Sequence, residues 1–256
     1  MPVNKSILIT RPQGQADELI GALTQANWHC VHQPLLRICP FNEQHGAPFH
    51  AMKQHIMNLD IYDVVISVSG NASSLAVDLI DQYWPQMPVG IDWYAVGPSS
   101  AQAFQSLGID MQLPQHNHSE GLLELDGLNQ DLTQKKVLIF RGVGGREHLA
   151  DTLKLRGAQV HYCELYQREP INFAQGELAS LLSQEQIHYA LLTSGEMLHQ
   201  LATQLTDSQK QNVHVIVPSE RIANMAPGLN IQRIHVCPKI NAQGLLDCLS
   251  KITHSS

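Results

Sequence analysis

The sequence predicts an α/β protein of two flavodoxin-like (Rossmann-like) parallel-sheet domains joined by two extended crossings. Three observations predict it. Short continuous apolar runs such as residues 137–140, of the kind that make strands buried on both faces, alternate along the chain with stretches whose apolar residues recur at helical spacing. The same strand, turn and helix plan occurs twice, about 130 positions apart. Two extended segments, residues 34–40 bracketed by prolines and residues 164–170 ending in one, stand where one copy of the plan would pass to the other.

The first copy begins with a strand from Ser6, followed by Thr10-Arg11-Pro12, a turn at Gly14, and Leu19 and Leu23 one helical turn apart. The second begins at Lys136, with Arg141-Gly142 after the strand, then Gly144, Gly145, Leu149 and Leu153. Arg11 thus matches Arg141, Gly14 matches Gly144, Leu19 matches Leu149 and Leu23 matches Leu153. Gly157 falls where a left-handed residue ends a helix, and residues 158–162 alternate like a further strand.

Three more pairs follow in the same order. Ser69-Gly70-Asn71 lies over Ser194-Gly195-Glu196, Pro98-Ser99 over Pro218-Ser219, and Ser119-Glu120-Gly121 over Ala242-Gln243-Gly244. Between these points, Phe49, Met52, Ile56 and Leu59 predict an amphipathic helix over 47–59, and residues 62–68 and 93–96 predict buried strands. A helix through Leu75, Leu79 and Ile80 separates the two. Ser99 is the expected cap of a helix that runs to Leu107 and stops at Gly108; a short strand over 109–113 follows, and Ser119 is the expected cap of a helix through Leu122, Leu123 and Leu125. The second half predicts a helix with Leu178, Leu181 and Leu182, strands over 189–192, 213–217 and 231–236, a helix capped by Ser219, and a last helix with Leu245, Leu246 and Leu249.

Composition narrows the function classes. At 256 residues the duplication implies two domains of about 125 residues, each large enough to bury its own core. No apolar run approaches the roughly 20 residues of a membrane span, and the start runs straight into a strand, so a soluble cytoplasmic protein is expected. The formal net charge of −7, with no basic stripe, argues against nucleic acid as a partner. The five scattered cysteines form no C-x-x-C pair and read as reduced core or strand residues. His116 and His118 read either as a metal pair or as part of a polar loop, and no carboxylate or cysteine set beside them completes a metal site.

In an open parallel sheet the ligand lies beyond the carboxyl ends of the strands. The turns expected there are Thr10-Arg11, Ser69-Gly70-Asn71, Gly97-Pro98-Ser99-Ser100, Arg141-Gly142, Thr193-Ser194 and Pro218-Ser219. They offer small or hydroxyl side chains and helix-end amides, which suit a carboxylate or phosphate without a positive net charge. Each has a plainer reading. Ser99, Ser119 and Ser219 serve equally as helix caps, Arg11 and Arg141 as partners for neighbouring carboxylates, and Tyr166, in a crossing, as a core tyrosine. The glycines of 142–145 form neither G-x-G-x-x-G nor a P-loop, so nucleotide binding by those routes is not expected.

Taken together, Ile9-Thr10-Arg11-Pro12, Tyr62-Asp63 with Ser69 and Asn71-Ala72, Ala95-Val96-Gly97, Ser119-Glu120-Gly121-Leu122-Leu123, Phe140-Arg141-Gly142 with Gly145-Arg146, Arg156-Gly157-Ala158, Tyr166, Thr193-Ser194 and Pro218-Ser219 with Arg221 resemble the uroporphyrinogen-III synthase family. Two positions depart from the family's usual pattern: Val68 stands where a threonine commonly precedes the serine, and Ser100 where a threonine is often found. The resemblance implies two flavodoxin-like parallel-sheet domains joined by a two-stranded connector, with residues 1–36 and 169–256 in the first and 37–168 in the second. It implies a lyase that closes hydroxymethylbilane to uroporphyrinogen III with inversion of ring D through a spiro intermediate, without metal or cofactor. Tyr166 takes the place of the tyrosine that assists the leaving hydroxyl; Thr10, Arg11, Ser69, Asn71, Gly97, Ser99, Ser100, Arg141, Gly142, Arg146, Thr193, Ser194 and Ser219 are the implied substrate contacts. A monomer is expected, open to transient contact with the preceding enzyme of the pathway. The alternative is a non-catalytic two-domain binder of a small anion or tetrapyrrole.

Overall fold

The computed structural model describes residues 5–116, 118–145 and 147–254. Their elements alternate as expected: β1 (Ser6–Ile9), α1 (Asp17–Gln25), β2 (His29–His32), β3 (Leu36–Pro40), α2 (Ala47–Met57), β4 (Val64–Ser67), α3 (Gly70–Tyr83), β5 (Asp92–Ala95), α4 (Pro98–Gln102), α5 (Ser119–Leu122), β6 (Lys136–Gly142), α6 (His148–Leu155) and β7 (Gln159–Pro170). After these come α7 (Glu177–Gln184), β8 (Tyr189–Leu191), α8 (Gly195–Gln204), α9 (Asp207–Asn212), β9 (His214–Val217), α10 (Glu220–Ala223), β10 (Arg233–Val236) and α11 (Ala242–His254). The chain divides into two compact units, one of residues up to Arg37 together with those from Glu169 onward, the other Ile38–Arg168.

The first unit holds the sheet β10-β9-β8-β1-β2, whose strands pair in parallel. Alternate residues of each strand enter opposite cores, so the strands are apolar throughout. Leu8, Ala190, Val215 and Val217 pack with Leu178, Leu182, Leu198, Leu201 and Ile222 of α7, α8 and α10. Ile7, Ile9, Tyr189, Leu191 and Ile216 pack on the other face with Leu19 and Leu23 of α1 and Leu245, Leu249 and Ile252 of α11.

The second unit repeats the plan from a different starting point. Its sheet runs β3-β7-β6-β4-β5, so β6 and β7 stand as β1 and β2 do, and β4 and β5 as β8 and β9. Val65, Leu138, Phe140 and Cys163 face α2 and α3, and Val64, Ile66, Val137 and Ile139 face α5 and α6. The strand expected over 109–113 is reduced to a single bridge, Gln112 beside Tyr94, held by Gln112 N–H to the Trp93 carbonyl (2.8 Å) and Ala95 N–H to the Gln112 carbonyl (3.0 Å). It takes the place that β10 fills in the first unit.

Several local expectations are corrected. The cap of α5 is His118, whose Nδ1 accepts from Gly121 N–H at 3.0 Å; Ser119 is the first helical residue, and the helix is one turn long. The first unit does the same with Asn241, whose Oδ1 accepts from Gly244 N–H at 2.9 Å. A Cβ on Gly121 or Gly244 would lie 2.5 Å from the His116 carbonyl oxygen or 2.2 Å from that of Lys239, so the matched glycine is a close-approach requirement common to both units. Gly97, not Ser99, occupies the cap of α4, with Pro98 at the first helical position, and Ser219 stands at the cap of α10 without a side-chain bond. Between Ser194 and His214, where the sequence reading gives only a turn leading to a strand, the chain forms α8 and α9. Gly157 does adopt the left-handed conformation after α6, at φ +94°.

At the first sheet's edge His214 Nδ1 and His235 Nε2 lie 3.0 Å apart, with stacked rings, Arg233 Nη1 lies 3.1 Å from His214 Nε2, and Tyr189 packs alongside. Burial first, then the charges of His235, Arg233 and His188, push the His214 pKa down to about 4. Between about 4 and the ordinary histidine value near 6.5 the unfolded chain binds a proton here that the fold resists. Stability therefore falls as pH drops through that window and is unaffected by this group above it. Thermal midpoints at pH 7 and pH 5.5 should differ less in His214→Phe than in the parent; equal differences would remove His214 as the cause.

Candidate functional site

In the second unit a cavity of about 280 Å³ opens at the carboxyl ends of β4, β5 and β6, lined among others by Ser69, Val96, His118, Arg141, Gly142, Tyr166 and Arg168. Its position follows from the parallel sheet, whose strands all deliver their carboxyl ends to one edge. Tyr166 is set there by a local irregularity. Arg141 pairs with Glu164 and the next residue, Gly142, pairs with Tyr166, so Leu165 is extra and β7 carries a bulge. The bulge breaks the alternation of side chains and re-aims those beyond it. Cys163, Leu165 and Tyr166 all contribute to the same core.

Tyr166 is 1 % exposed, with its ring in that core and its oxygen at the cavity. The phenol oxygen lies 3.2 Å from Ser69 Oγ and accepts from Arg168 Nη2 at 3.3 Å. Ser69 is also the cap of α3, its Oγ accepting from Ala72 N–H at 3.1 Å. Gly142 makes room: a Cβ there would lie 2.5 Å from the Tyr166 ring. Sequence reasoning places Tyr166 in a crossing; the structure places it inside β7, a strand of the second sheet.

Arg141 is buried and turned to structural use. Its Nε donates to the Gly142 carbonyl (3.2 Å), Nη2 to the Gly144 carbonyl, and Nη1 to Glu147 Oε1 (3.0 Å). Tyr162 stacks on the guanidinium, with Cζ 4.5 Å from the ring centroid, and donates its hydroxyl to Glu147 Oε2. The hydrogen bond from Tyr162, then the Arg141 guanidinium, hold the Glu147 carboxyl below its ordinary pKa; burial, followed by Glu147, pushes the Tyr162 phenol up to about 12. The plainer sequence reading, an arginine tied to a neighbouring carboxylate, describes this residue, and the network fixes the glycine turn that borders the cavity.

The other candidates divide by unit. Asn71 is half-buried in the first turn of α3 and Ser100 is buried in α4, while Gly97 and Ser99, at the start of α4, are buried and exposed respectively. Thr10, Arg11, Thr193, Ser194 and Ser219 stand at the carboxyl ends of β1, β8 and β9 in the first unit. Thr10 is fully buried and donates to the Leu191 carbonyl at 2.7 Å; Arg11 Nη2 donates to the Ile240 carbonyl at 2.8 Å. Thr193 Oγ1 donates to Met197 Sδ at 3.3 Å, and Ser194 caps α8 by accepting from Met197 N–H at 3.2 Å, as Ser69 caps α3. Arg146 lies outside the described residues.

His118 and Arg168 line the cavity and are not among the contacts expected from the sequence. Arg168 falls in a stretch that reads as a linker, and His118 in one that reads as a metal pair or a polar loop. The only sequence signal for Arg168 is its spacing, two residues beyond Tyr166 on one strand face. Among the described residues no three histidines, cysteines or carboxylates gather to hold a metal ion, and the five cysteines are free thiols.

The comparisons with known proteins point to a single family. The model of the family described as uroporphyrinogen-III synthase HemD matches residues 17–247. The chain is 33% identical over 253 residues to the uroporphyrinogen-III synthase of Escherichia coli strain K12, covering 95% of this chain and 99% of that protein. It is 36% identical over 198 residues to that of Proteus mirabilis, covering 77% and 96%. In fold it is similar to the uroporphyrinogen-III synthetase of Helicobacter pylori (TM-score 0.61, 14% identity, 97% of this chain and 99% of that one). It is similar also to a mutant uroporphyrinogen III synthase of Thermus thermophilus (TM-score 0.57, 12% identity, 96% and 99%).

The packing of Tyr166 on Gly142 has a direct consequence. Gly142→Ala should force the ring off its seat and destabilise the fold by about 1–3 kcal/mol, the usual penalty for overpacking a closed core. The expected readout is a lowered thermal midpoint with a changed near-ultraviolet tyrosine signal. An unchanged midpoint and signal would show that the ring is not confined by this glycine.

Proposed function

The chain belongs to the uroporphyrinogen-III synthase family, lyases of tetrapyrrole biosynthesis, and on that premise we propose that the Tyr166 cavity holds the reacting end of hydroxymethylbilane. The reaction removes water and closes the linear tetrapyrrole to uroporphyrinogen III with ring D inverted. The observation that carries the reading is the phenol of Tyr166, held between Ser69 and Arg168 at a cavity whose lining includes no aspartate or glutamate among the described residues.

The substrate's chemistry asks for such a site. The lone pair of the terminal pyrrole nitrogen expels the hydroxyl from the neighbouring carbon, leaving an azafulvene cation, and the departing oxygen needs one proton. With Ser69 donating to the phenol oxygen, the Tyr166 proton is free to go to the leaving hydroxyl; the phenolate recovers a proton from solvent afterwards. The electrophilic carbon is then attacked by the substituted carbon of ring D to give a spiro-pyrrolenine, which opens and recloses with ring D turned over. Loss of a ring proton restores aromaticity. Selection between this route and direct end-to-end closure is a matter of which carbons are held in contact, so positioning contributes more than acidity.

The anionic rim of the substrate suits the ends of helices. α3 begins at the cavity under its Ser69 cap, and α8 begins at the matching place in the first unit under Ser194. Both are long enough for their aligned peptide dipoles to favour carboxylates at the start. In this reading Asn71, Gly97 and Ser99 contribute through backbone amides within the second unit, Thr193 and Ser219 stand at the matching strand ends of the first, and Ser100, buried with its amide donating to the Gly97 carbonyl at 3.0 Å, supports its turn. Thr10, Arg11 and Arg141 support the loops, because their polar atoms are engaged inside the protein.

Hydroxymethylbilane should give the type III isomer with the protein and mainly type I without it. Tyr166→Phe should give the same isomer roughly ten- to a hundredfold more slowly, at or below the low end of what positioned proton donors contribute, because the pyrrole itself drives the departure. Type I product from the folded parent would dismiss the activity; complete inactivity of a folded Phe variant would dismiss this modest role for the phenol.

We further propose a cytoplasmic chain that works as a monomer and receives its labile substrate in transient contact with the enzyme that makes it. Supporting this, each unit encloses its own two-sided core, and among the described residues no helix is long and apolar enough to cross a membrane. Sedimentation should give a single species at 28.4 kDa; a stable dimer would oppose it.

A further inference from the structure

Resting on that reading, we propose that Arg168 is a substrate-binding residue: its guanidinium takes a carboxylate of the same pyrrole whose hydroxyl Tyr166 takes. Arg168 lines the cavity beside Tyr166 and is exposed, while its Nη2 reaches the phenol oxygen at 3.3 Å and its Cζ stands 5.5 Å from the ring centroid. A second donor, Nη1, lies 3.4 Å from the Val143 carbonyl. The residues alternate along β7, so Tyr166 and Arg168 share a face.

Its surroundings differ from those of several basic side chains that the fold itself ties up. Arg141 is paired with Glu147, Arg37 with Glu169 and Lys135 with Asp63, and Arg156 donates to two carbonyls. Among the described residues no carboxylate forms an ion pair with Arg168. A guanidinium has five N–H donors in a fixed plane, and the contacts to Tyr166 and Val143 leave donors over. Ring and carbonyl thus orient a fork that the protein itself does not fill with an acid.

The substrate supplies the acid. Every pyrrole of hydroxymethylbilane bears an acetate and a propionate, so a carboxylate lies within a few bonds of the carbon that loses the hydroxyl. A two-point grip on one ring, phenol to hydroxyl and guanidinium to carboxylate, fixes that carbon for attack better than either contact alone. Electrostatics favours the same arrangement. An unpaired guanidinium beside a carbon becoming cationic would raise the barrier, whereas one neutralised by the substrate's own carboxylate would not.

The test compares Arg168→Gln and Arg168→Lys with the parent in initial-rate assays on hydroxymethylbilane over a range of sodium chloride. Arg168→Gln should raise KM about tenfold, as expected for losing a hydrogen bond to a charged group, with a smaller change in kcat. The parent's KM should rise with salt, and that rise should flatten in the Gln variant because the exposed charge it screens is gone. Arg168→Lys should keep the salt dependence but recover only part of the affinity, since an ammonium cannot present a planar fork. A KM and salt profile unchanged in the Gln variant would overturn the assignment, and so would a loss confined to kcat, which would make Arg168 a positioning residue for Tyr166. The parent serves as the control for the underlying reading: if it makes no type III isomer that reading fails, and if it does while Arg168→Gln keeps its KM only the present inference fails.

Discussion

The contact on which the site depends is the seating of the Tyr166 ring over Gly142 across a bulged strand pair. Two neighbouring parallel strands normally place successive side chains on alternate faces, and a tyrosine at this point would take whichever face the count dictated. The extra residue, Leu165, changes the count. Leu165 and Tyr166 then enter one core together, and the strand opposite must offer no side chain where the ring lies. The glycine here answers a need for space, not for an unusual backbone angle. Once the ring is packed, its oxygen has little freedom, and Ser69 and Arg168 meet it from two sides.

Around that contact the second unit uses its polar residues to hold loops. Arg141 is the plainest instance. A nearly buried guanidinium is tolerable only with its donors satisfied, and two carbonyls of the glycine turn, one carboxylate and one aromatic face do so. The turn from Gly142 to Gly145 would otherwise carry few side-chain anchors. In the first unit Arg11 plays a comparable part toward the Ile240 carbonyl, so the arginine kept after the first strand of both copies serves loop support in each.

Strand and helix order, the parallel sheets and the duplication can be read from the chain because each rests on local periodicity or on short matched strings. The features that cannot be read depend on contacts between distant segments. The run 109–113 has the apolar pattern of a strand, yet only Gln112 bridges Tyr94, because a strand needs a neighbour along its length as well as a pattern. Ser119 satisfies the rule for helix caps, but His118, one residue earlier, has the extended backbone and an acceptor nitrogen within reach of Gly121 N–H. The helix from Gly195 to Gln204 escapes the sequence reading because its buried set, Met197, Leu198, Leu201 and Ala202, spans little more than one turn. For the site, Ser69, Gly142 and Tyr166 are recoverable from motif order. Arg168 is not, since an arginine in an extended, proline-ended stretch looks like a solvated linker residue until the bulge brings its neighbour to the cavity.

A chain with a formal net charge of −7 that is to bind a polyanion raises an apparent conflict. Range resolves it. Exposed charges farther apart than about 8–10 Å are largely screened at ordinary ionic strength, so the sum over the surface matters less than the groups that border the ligand. The ionisable side chains that line the cavity among the described residues are His118, Arg141, Tyr162, Tyr166 and Arg168, none of them a carboxylate, and α3 adds the positive end of its peptide dipoles. Glu147 lies close, but it is bound to Arg141 and Tyr162, and its charge is neutralised there. The acidic surplus elsewhere then has little effect at the site. It also disfavours non-specific association with other polyanions, leaving affinity to carboxylates that can reach the strand ends.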